Sequence, residues 1–260
     1  MLNTAIMQQL DVRIFESREE LGKIAADIVA KTINYLFDNQ PFVNMVFAAA
    51  PSQNEFLSSL RHRKDINWAR VNAFHMDEYL GLEADAPQGF GNFLKERLFS
   101  AVGFNTINYI NSTTSSEEQE CLRYSELLTS CPPDIVCMGI GENAHIAFND
   151  PGVADFQDPV IIKKVQLDGQ CRQQQVNDGC FLTLDEVPNF ALTLTIPALM
   201  QAKHIYCIAP GKLKAQAVYN TVHGEISEDY PSSIIRTHPE AILFLDRQSA
   251  ALLHEFTIAM

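Results

Sequence analysis

The chain is short of positive charge. Its 19 lysines and arginines face 32 aspartates and glutamates, a formal net charge of −13 over 260 residues. Nucleic-acid phosphates and anionic membrane surfaces are repelled by that balance, so neither is an expected partner. An anionic ligand must then be held by a few local cations and backbone N–H groups, not by the overall field. Long apolar runs are absent too, and none approaches the roughly 20 residues of a membrane span. Met1-Leu2-Asn3-Thr4 lacks the basic stretch and apolar segment of a secretory signal. The six cysteines form no CxxC pair and no Cys/His spacing that suggests zinc. These absences point to a reduced, cytoplasmic protein. No repeat, low-complexity tract or Gly/Ser linker divides the chain, so 1–260 reads as one domain.

What is present is an alternation of strand and helix patterns. Ser17-Arg18-Glu19-Glu20 has the form of a capping box, and Leu21, Ile24, Ala25, Ile28, Val29, Ile33 and Leu36 recur behind it at helical spacing, predicting a helix to about Asp38. Strands are predicted at 42–49, 67–76, 107–110, 135–138, 160–165, 191–196, 204–208 and 241–245. Helices are expected from Ser52, over 93–102, from Ser115 to near Leu128, from Gly211, and after the last strand. The alternation predicts an α/β fold, Rossmann-like, with a mostly parallel sheet and helices on both faces. Residues 150–190 read as irregular and polar, a lid or insertion.

Candidate chemistry clusters where predicted strands end, which is where an open α/β sheet places its ligands. Gly139-Ile140-Gly141 after the 135–138 strand lets the backbone turn sharply, and His145 and Asp150 follow at once. Asp77, in His75-Met76-Asp77-Glu78-Tyr79, would be partly desolvated at its strand end, as a proton-transfer base requires. Glu78 points the other way in an extended chain, so the two acids are not a pair. Ala50-Pro51-Ser52-Gln53 opens a helix whose free N–H groups and hydroxyl could take a phosphate, although on this segment alone Ser52 as a simple cap is the better explanation, since the loop has no glycine. Lys214 in the first helical turn opposes the helix dipole, which an anionic ligand would justify.

Together these segments resemble the glucosamine-6-phosphate deaminase/isomerase family, related to 6-phosphogluconolactonases. The resemblance runs from about Phe42 to Asp246. It is strongest in Met76-Asp77-Glu78-Tyr79-Leu80-Gly81, in Gly139-Ile140-Gly141 through His145-Ile146-Ala147-Phe148-Asn149, and in Pro231-Ser232-Ser233 with Arg236-Thr237-His238-Pro239. It implies isomerisation and deamination of an amino-sugar phosphate, with a small-molecule sugar phosphate as partner and no metal or organic cofactor. Asp77 then matches the base that moves a proton between C2 and C1, and His145 the group that assists ring opening. Asp150 falls where a carboxylate orients that histidine, with Asn143 beside it. Ser52, Gln53, Gly141 and Lys214 fall in the substrate- and phosphate-binding positions.

The departures have physical content. Asn143 replaces an aspartate and cannot stabilise a histidine cation by charge. Ala144 replaces a glycine, which costs about 1 kcal/mol or more if that position needs φ > 0. Ala49-Ala50 replaces a Thr-Gly pair, and the phosphate-binding arginine has no clean match, Arg172 lying nearest. The alternative readings are a lactonase acting on a sugar-acid phosphate and a non-catalytic sugar-phosphate sensor. A homo-oligomer is compatible with all three.

Overall fold

A computed structural model describes residues 10–253. In chain order its elements are β1 (Asp11–Phe15), α1 (Arg18–Phe37), β2 (Val43–Phe47), α2 (Asn54–Arg61), β3 (Val71–His75), β4 (Asp77–Tyr79), α3 (Phe90–Leu94), β5 (Thr106–Asn108) and α4 (Glu117–Ser130). Then come β6 (Ile135–Met138), β7 (Ile162–Gln166), α5 (Gly169–Asn177), β8 (Phe190–Leu194), α6 (Ile196–Met200), β9 (His204–Ile208), α7 (Ala215–His223) and β10 (Ala241–Asp246). Seven strands form one parallel sheet in the order β1-β10-β9-β6-β2-β3-β5. The four strands expected to carry the site, β9, β6, β2 and β3, are contiguous in it.

The inner strands of this sheet are buried on both faces, and alternate residues feed two separate clusters. Val43, Met45 and Phe47 of β2 pack with α1 and α2, while Val46 packs with Tyr124 and Leu128 of α4 and Val218 of α7. Helices therefore cover both faces, as the apolar strand runs require. At the start of α1, Ser17 accepts the Glu20 N–H (3.2 Å) and the Glu20 carboxylate accepts the Glu16 N–H (3.0 Å). These bonds satisfy donors that a helix start leaves free.

The sequence reading differs from the structure in five places. β1 is an edge strand too short and charged to stand out. The strands at 160–165 and 191–196 do not join the parallel sheet: β7, β8 and β4 form a second, antiparallel sheet in the order β4-β8-β7. The in-out pattern of β7, with Ile162 and Val165 buried but Lys164 and Gln166 exposed, is that of a half-covered antiparallel strand. Residues 150–190 are not an irregular lid, because β7 and α5 lie within them. The helix expected at 93–102 begins earlier, at Phe90, and widens into a π turn over Lys95–Phe99. Residues 247–252 turn instead of starting a helix, while the remainder of that predicted helix, like Met1–Thr4, lies outside the described residues. No helix among the described residues is long and apolar enough to cross a membrane.

The two sheets meet at Met76. Its N–H donates to the Phe47 carbonyl of the large sheet (3.3 Å), and its carbonyl accepts the Leu194 N–H of the small one (2.8 Å). β8 then reaches the histidine loop: the Thr193 hydroxyl accepts the buried Phe148 N–H (3.1 Å) and donates to the Leu194 carbonyl (3.1 Å). Thr193→Val keeps the shape and orphans that N–H. Chemical denaturation is expected to show a loss of about 1–3 kcal/mol. A variant as stable as the wild type would show that the loop is held elsewhere.

Candidate active site

The carboxyl ends of β2, β3, β6 and β9 open onto one cavity of about 330 Å³. Ser52, Asp77, Gly141, His145 and Lys214 all line it, so five of the eight residues selected from sequence share one space. The other three stand behind it. Asn143 and Asp150 contact the histidine, and Gln53 supports Ser52.

Asp77 is the first residue of β4 and pairs with Thr193 of β8. Its carboxyl is almost wholly buried, and its pKa is pushed well above the usual carboxylate range by burial first and by the Glu78 charge second. No hydrogen bond among the described residues offsets this. A carboxyl raised in this way holds a proton more readily than a free one, which suits a group that takes a proton and returns it. Glu78 points elsewhere, as expected from strand alternation. It accepts the N–H groups of Tyr79, Phe90 and Gly91 at 2.8–2.9 Å, and burial raises its pKa to about 6 against those bonds.

His145 is held by its neighbours. Its Nδ1 lies 2.9 Å from Asp150 Oδ1, an ion-pair contact whose angle falls short of a straight hydrogen bond. Asn143 Nδ2 donates to the same Asp150 oxygen at 2.9 Å, and Asn143 Oδ1 accepts the His145 N–H at 3.1 Å. Burial alone would raise the Asp150 pKa, but the His145 charge and the bonds from His145, Asn143 and Cys171 outweigh it and hold the carboxyl below its usual range. Asn143 thus works as a hydrogen-bonding brace between backbone and carboxylate. The imidazole lies on Gly141, where a Cβ would stand 2.2–2.4 Å from three ring atoms. That contact explains the glycine at this position.

Ala144 has φ +69° and Ala147 φ +52°. The position where the sequence lacks the family's glycine does need a left-handed backbone, at roughly 1–2 kcal/mol. The loop is tied down around it: the Ser232 N–H donates to the Ala144 carbonyl (2.8 Å) and the Gly141 N–H to the His145 carbonyl (2.9 Å). The Pro231-Ser232-Ser233 motif is therefore a support for the histidine loop. Ala50 has φ −157°, an extended backbone open to any residue, so the missing glycine there costs no strain.

At the other end of the cavity, Gln53 Nε2 donates to Ser52 Oγ and to the Ile208 carbonyl, each at 3.1 Å. The Ser52 hydroxyl, accepting there, keeps its proton for a ligand. Lys214 is 7% exposed, and burial lowers its pKa, with Asp178 and Glu142 acting in opposition. No hydrogen bond or ion pair from the described residues meets its ammonium.

His145, Asp150 and Cys171 bring one N, one O and one S donor within 4.8 Å of one another. The Cys171 thiol is pushed strongly upward by burial and then by the Asp150 charge, which holds it protonated. The thiol hydrogen-bonds Asp150 and so joins the support of His145.

Sequence reasoning missed the α5 wall. Gln174, Gln175 and Asp178 line the cavity, with Phe90 and Phe148 stacked nearby at 5.5 Å between ring centroids. Cys171, Gln174, Gln175 and Asp178 recur at helical spacing, and that was the available signal. Arg172 does not line the cavity. It donates instead to the Leu184 and Val187 carbonyls at 2.6 and 3.0 Å.

Residues 16–166 match the model of the family described as glucosamine-6-phosphate isomerases/6-phosphogluconolactonase. The chain belongs to this family. It is 32% identical over 239 residues to a glucosamine-6-phosphate deaminase of Clostridium acetobutylicum, covering 90% of this chain and 96% of that one. It is 35% identical over 211 residues to a glucosamine-6-phosphate deaminase of Listeria monocytogenes, covering 81% and 88%. Among solved structures, a monomeric glucosamine-6-phosphate deaminase superposes with TM-score 0.85 at 31% identity, covering 94% of this chain and all of that one. A 6-phosphogluconolactonase of Thermotoga maritima, at TM-score 0.74 and 17% identity over 92% of this chain and 100% of that one, shares the fold.

Two outcomes test this geometry. Gly141→Ala must push the His145 ring off its seat, so a crystal structure of the variant is expected to show the Nδ1–Oδ1 contact broken; an unmoved ring overturns the packing argument. Asp77→Asn tests burial. A carboxyl whose folded pKa is raised favours the fold at low pH and disfavours it as pH rises through the folded value. The variant escapes that loss, so its Tm is expected to exceed that of the wild type by more at pH 8 than at pH 5. Equal differences at the two pH values would mean that Asp77 is not desolvated.

Proposed function

We propose that this protein is a glucosamine-6-phosphate deaminase, converting glucosamine 6-phosphate and water into fructose 6-phosphate and ammonia. The observation that carries the reading is Asp77, a buried carboxyl with no side-chain hydrogen bond among the described residues, in the same cavity as the His145–Asp150 pair. A lactone hydrolysis needs an activated water near the histidine but no base for C2, which leaves Asp77 without a task. The named relatives support the same choice.

The roles follow from the chemistry. His145, oriented by Asp150 and Asn143, passes a proton to the ring oxygen and opens the sugar. Asp77 takes the proton from C2, giving a 2-amino enol, and returns it to C1 on the same face. The resulting C2 iminium adds water and expels ammonia, leaving the ketose. Lys214, Ser52 and its free N–H hold the phosphate and fix the reacting carbons against Asp77. All of these groups come from one chain, which we read as one domain. The six cysteines are free thiols, which supports a reducing, cytoplasmic setting.

A coupled ammonia assay at millimolar glucosamine 6-phosphate tests the reading. Turnover is expected for the wild type. Asp77→Asn is expected to lower kcat by about two orders of magnitude or more with KM nearly unchanged, since it removes the base and keeps the shape. Binding of the sugar phosphate without ammonia release would make the protein a sensor instead, and an active Asp77→Asn variant would end the proton-transfer role.

A further inference from the structure

The cavity wall holds an amide that the protein leaves uncommitted. Gln175, on α5, is 7% exposed and lines the cavity, yet its side chain makes no hydrogen bond among the described residues. Its neighbour Gln174 is committed: Oε1 accepts the Glu142 N–H at 2.8 Å and Nε2 donates to Asp178 at 3.3 Å. The Gln175 amide atoms stay open to the cavity, where a ligand can meet them. Gln175 has one acceptor and two donor hydrogens, the complement of a sugar hydroxyl.

Helix α5 also says which hydroxyl. Cys171, near its start, lies against the Asp150 and His145 donors. Asp178, at its end, lines the cavity with Lys214 and acts on it electrostatically. The helix thus runs from the reacting end toward the anion end, and seven residues at 1.5 Å each span about 10 Å. An extended hexose phosphate, from C1 to phosphorus, has about that reach. Gln175 falls between the two ends, level with the middle of the carbon chain.

We propose that Gln175 is a specificity-determining residue whose amide hydrogen-bonds the C3 or C4 hydroxyl of the substrate. This rests on the deaminase reading above, with the phosphate at Lys214 and C1–C2 at Asp77. It assigns α5 the reading of the sugar's middle.

The test pairs Gln175→Met, which keeps length and removes the amide, with glucosamine 6-phosphate and its 3-deoxy and 4-deoxy analogues. For the wild type, removing one of the two hydroxyls is expected to lower kcat/KM by about tenfold. For Gln175→Met that penalty is expected to shrink below about threefold, because the hydroxyl has already lost its partner. The rise should lie mainly in KM, with Tm unchanged or higher. Gln175→Ala serves as the second variant if Gln175→Met folds poorly. Equal analogue penalties in variant and wild type would overturn the proposal while leaving the deaminase reading intact, and so would a wild type indifferent to both hydroxyls. A wild type that releases no ammonia from the parent sugar would overturn both.

Discussion

The constraint on which this site depends is the single peptide at Met76 that joins two sheets. β3 ends at His75 in the parallel sheet, and β4 begins at Asp77 in the antiparallel one. With hydrogen bonds to Phe47 on one side and Leu194 on the other, the backbone entering Asp77 has little freedom. A carboxylate resists burial, because charge prefers water. Fixing its backbone from both sides is how the fold keeps Asp77 almost wholly buried, and the same burial raises its pKa.

The second sheet acts as a clamp. Thr193 faces Asp77 across β8 and β4, and its hydroxyl accepts from Phe148 in the histidine loop. Asn149 Nδ2 adds a bond to the Leu194 carbonyl at 2.8 Å. β8 therefore carries both partners of the proposed proton chemistry, the base on one side and the His145 loop on the other. That arrangement lets the loop hold two alanines with positive φ: four short-range and cross-element backbone ties outweigh a strain of a few kcal/mol. The left-handed turn at Ala144 is thus imposed by tertiary bonds, and the missing glycine is tolerated because the surrounding structure leaves the loop no other path.

Much of this was legible in the sequence, for reasons that can be named. β6 is a run of apolar residues ending at Gly139, and both its bounds and its placement followed from that pattern alone. His145 and Asp77 stood out because each is a titratable residue directly after such a run. Parallel order among β9, β6, β2 and β3 followed from the helices between them. What could not be read was pairing over distance. Nothing local says that β4 leaves the sheet of β3 after one residue, or that β7 and β8 answer to β4. The α5 wall was hidden for a related reason: its residues are polar, so the helix has no apolar stripe to announce it, and its buried face is buried against a cavity.

That last case shows where sequence patterning stops being a guide to function. Periodicity detects helices by the apolar residues that water drives inward. A helix whose inner face exists to meet a hydrophilic ligand carries amides and carboxylates there instead, and reads as a loop. In this chain the Gln174–Gln175–Asp178 face reads as an irregular segment on those grounds, yet it borders the cavity along with Asp77 and His145. The polar helix and the uncompensated carboxyl are one phenomenon seen at two residues. Asp77 and Gln175 make no side-chain hydrogen bond among the described residues, and both lie on the wall of the same 330 Å³ space.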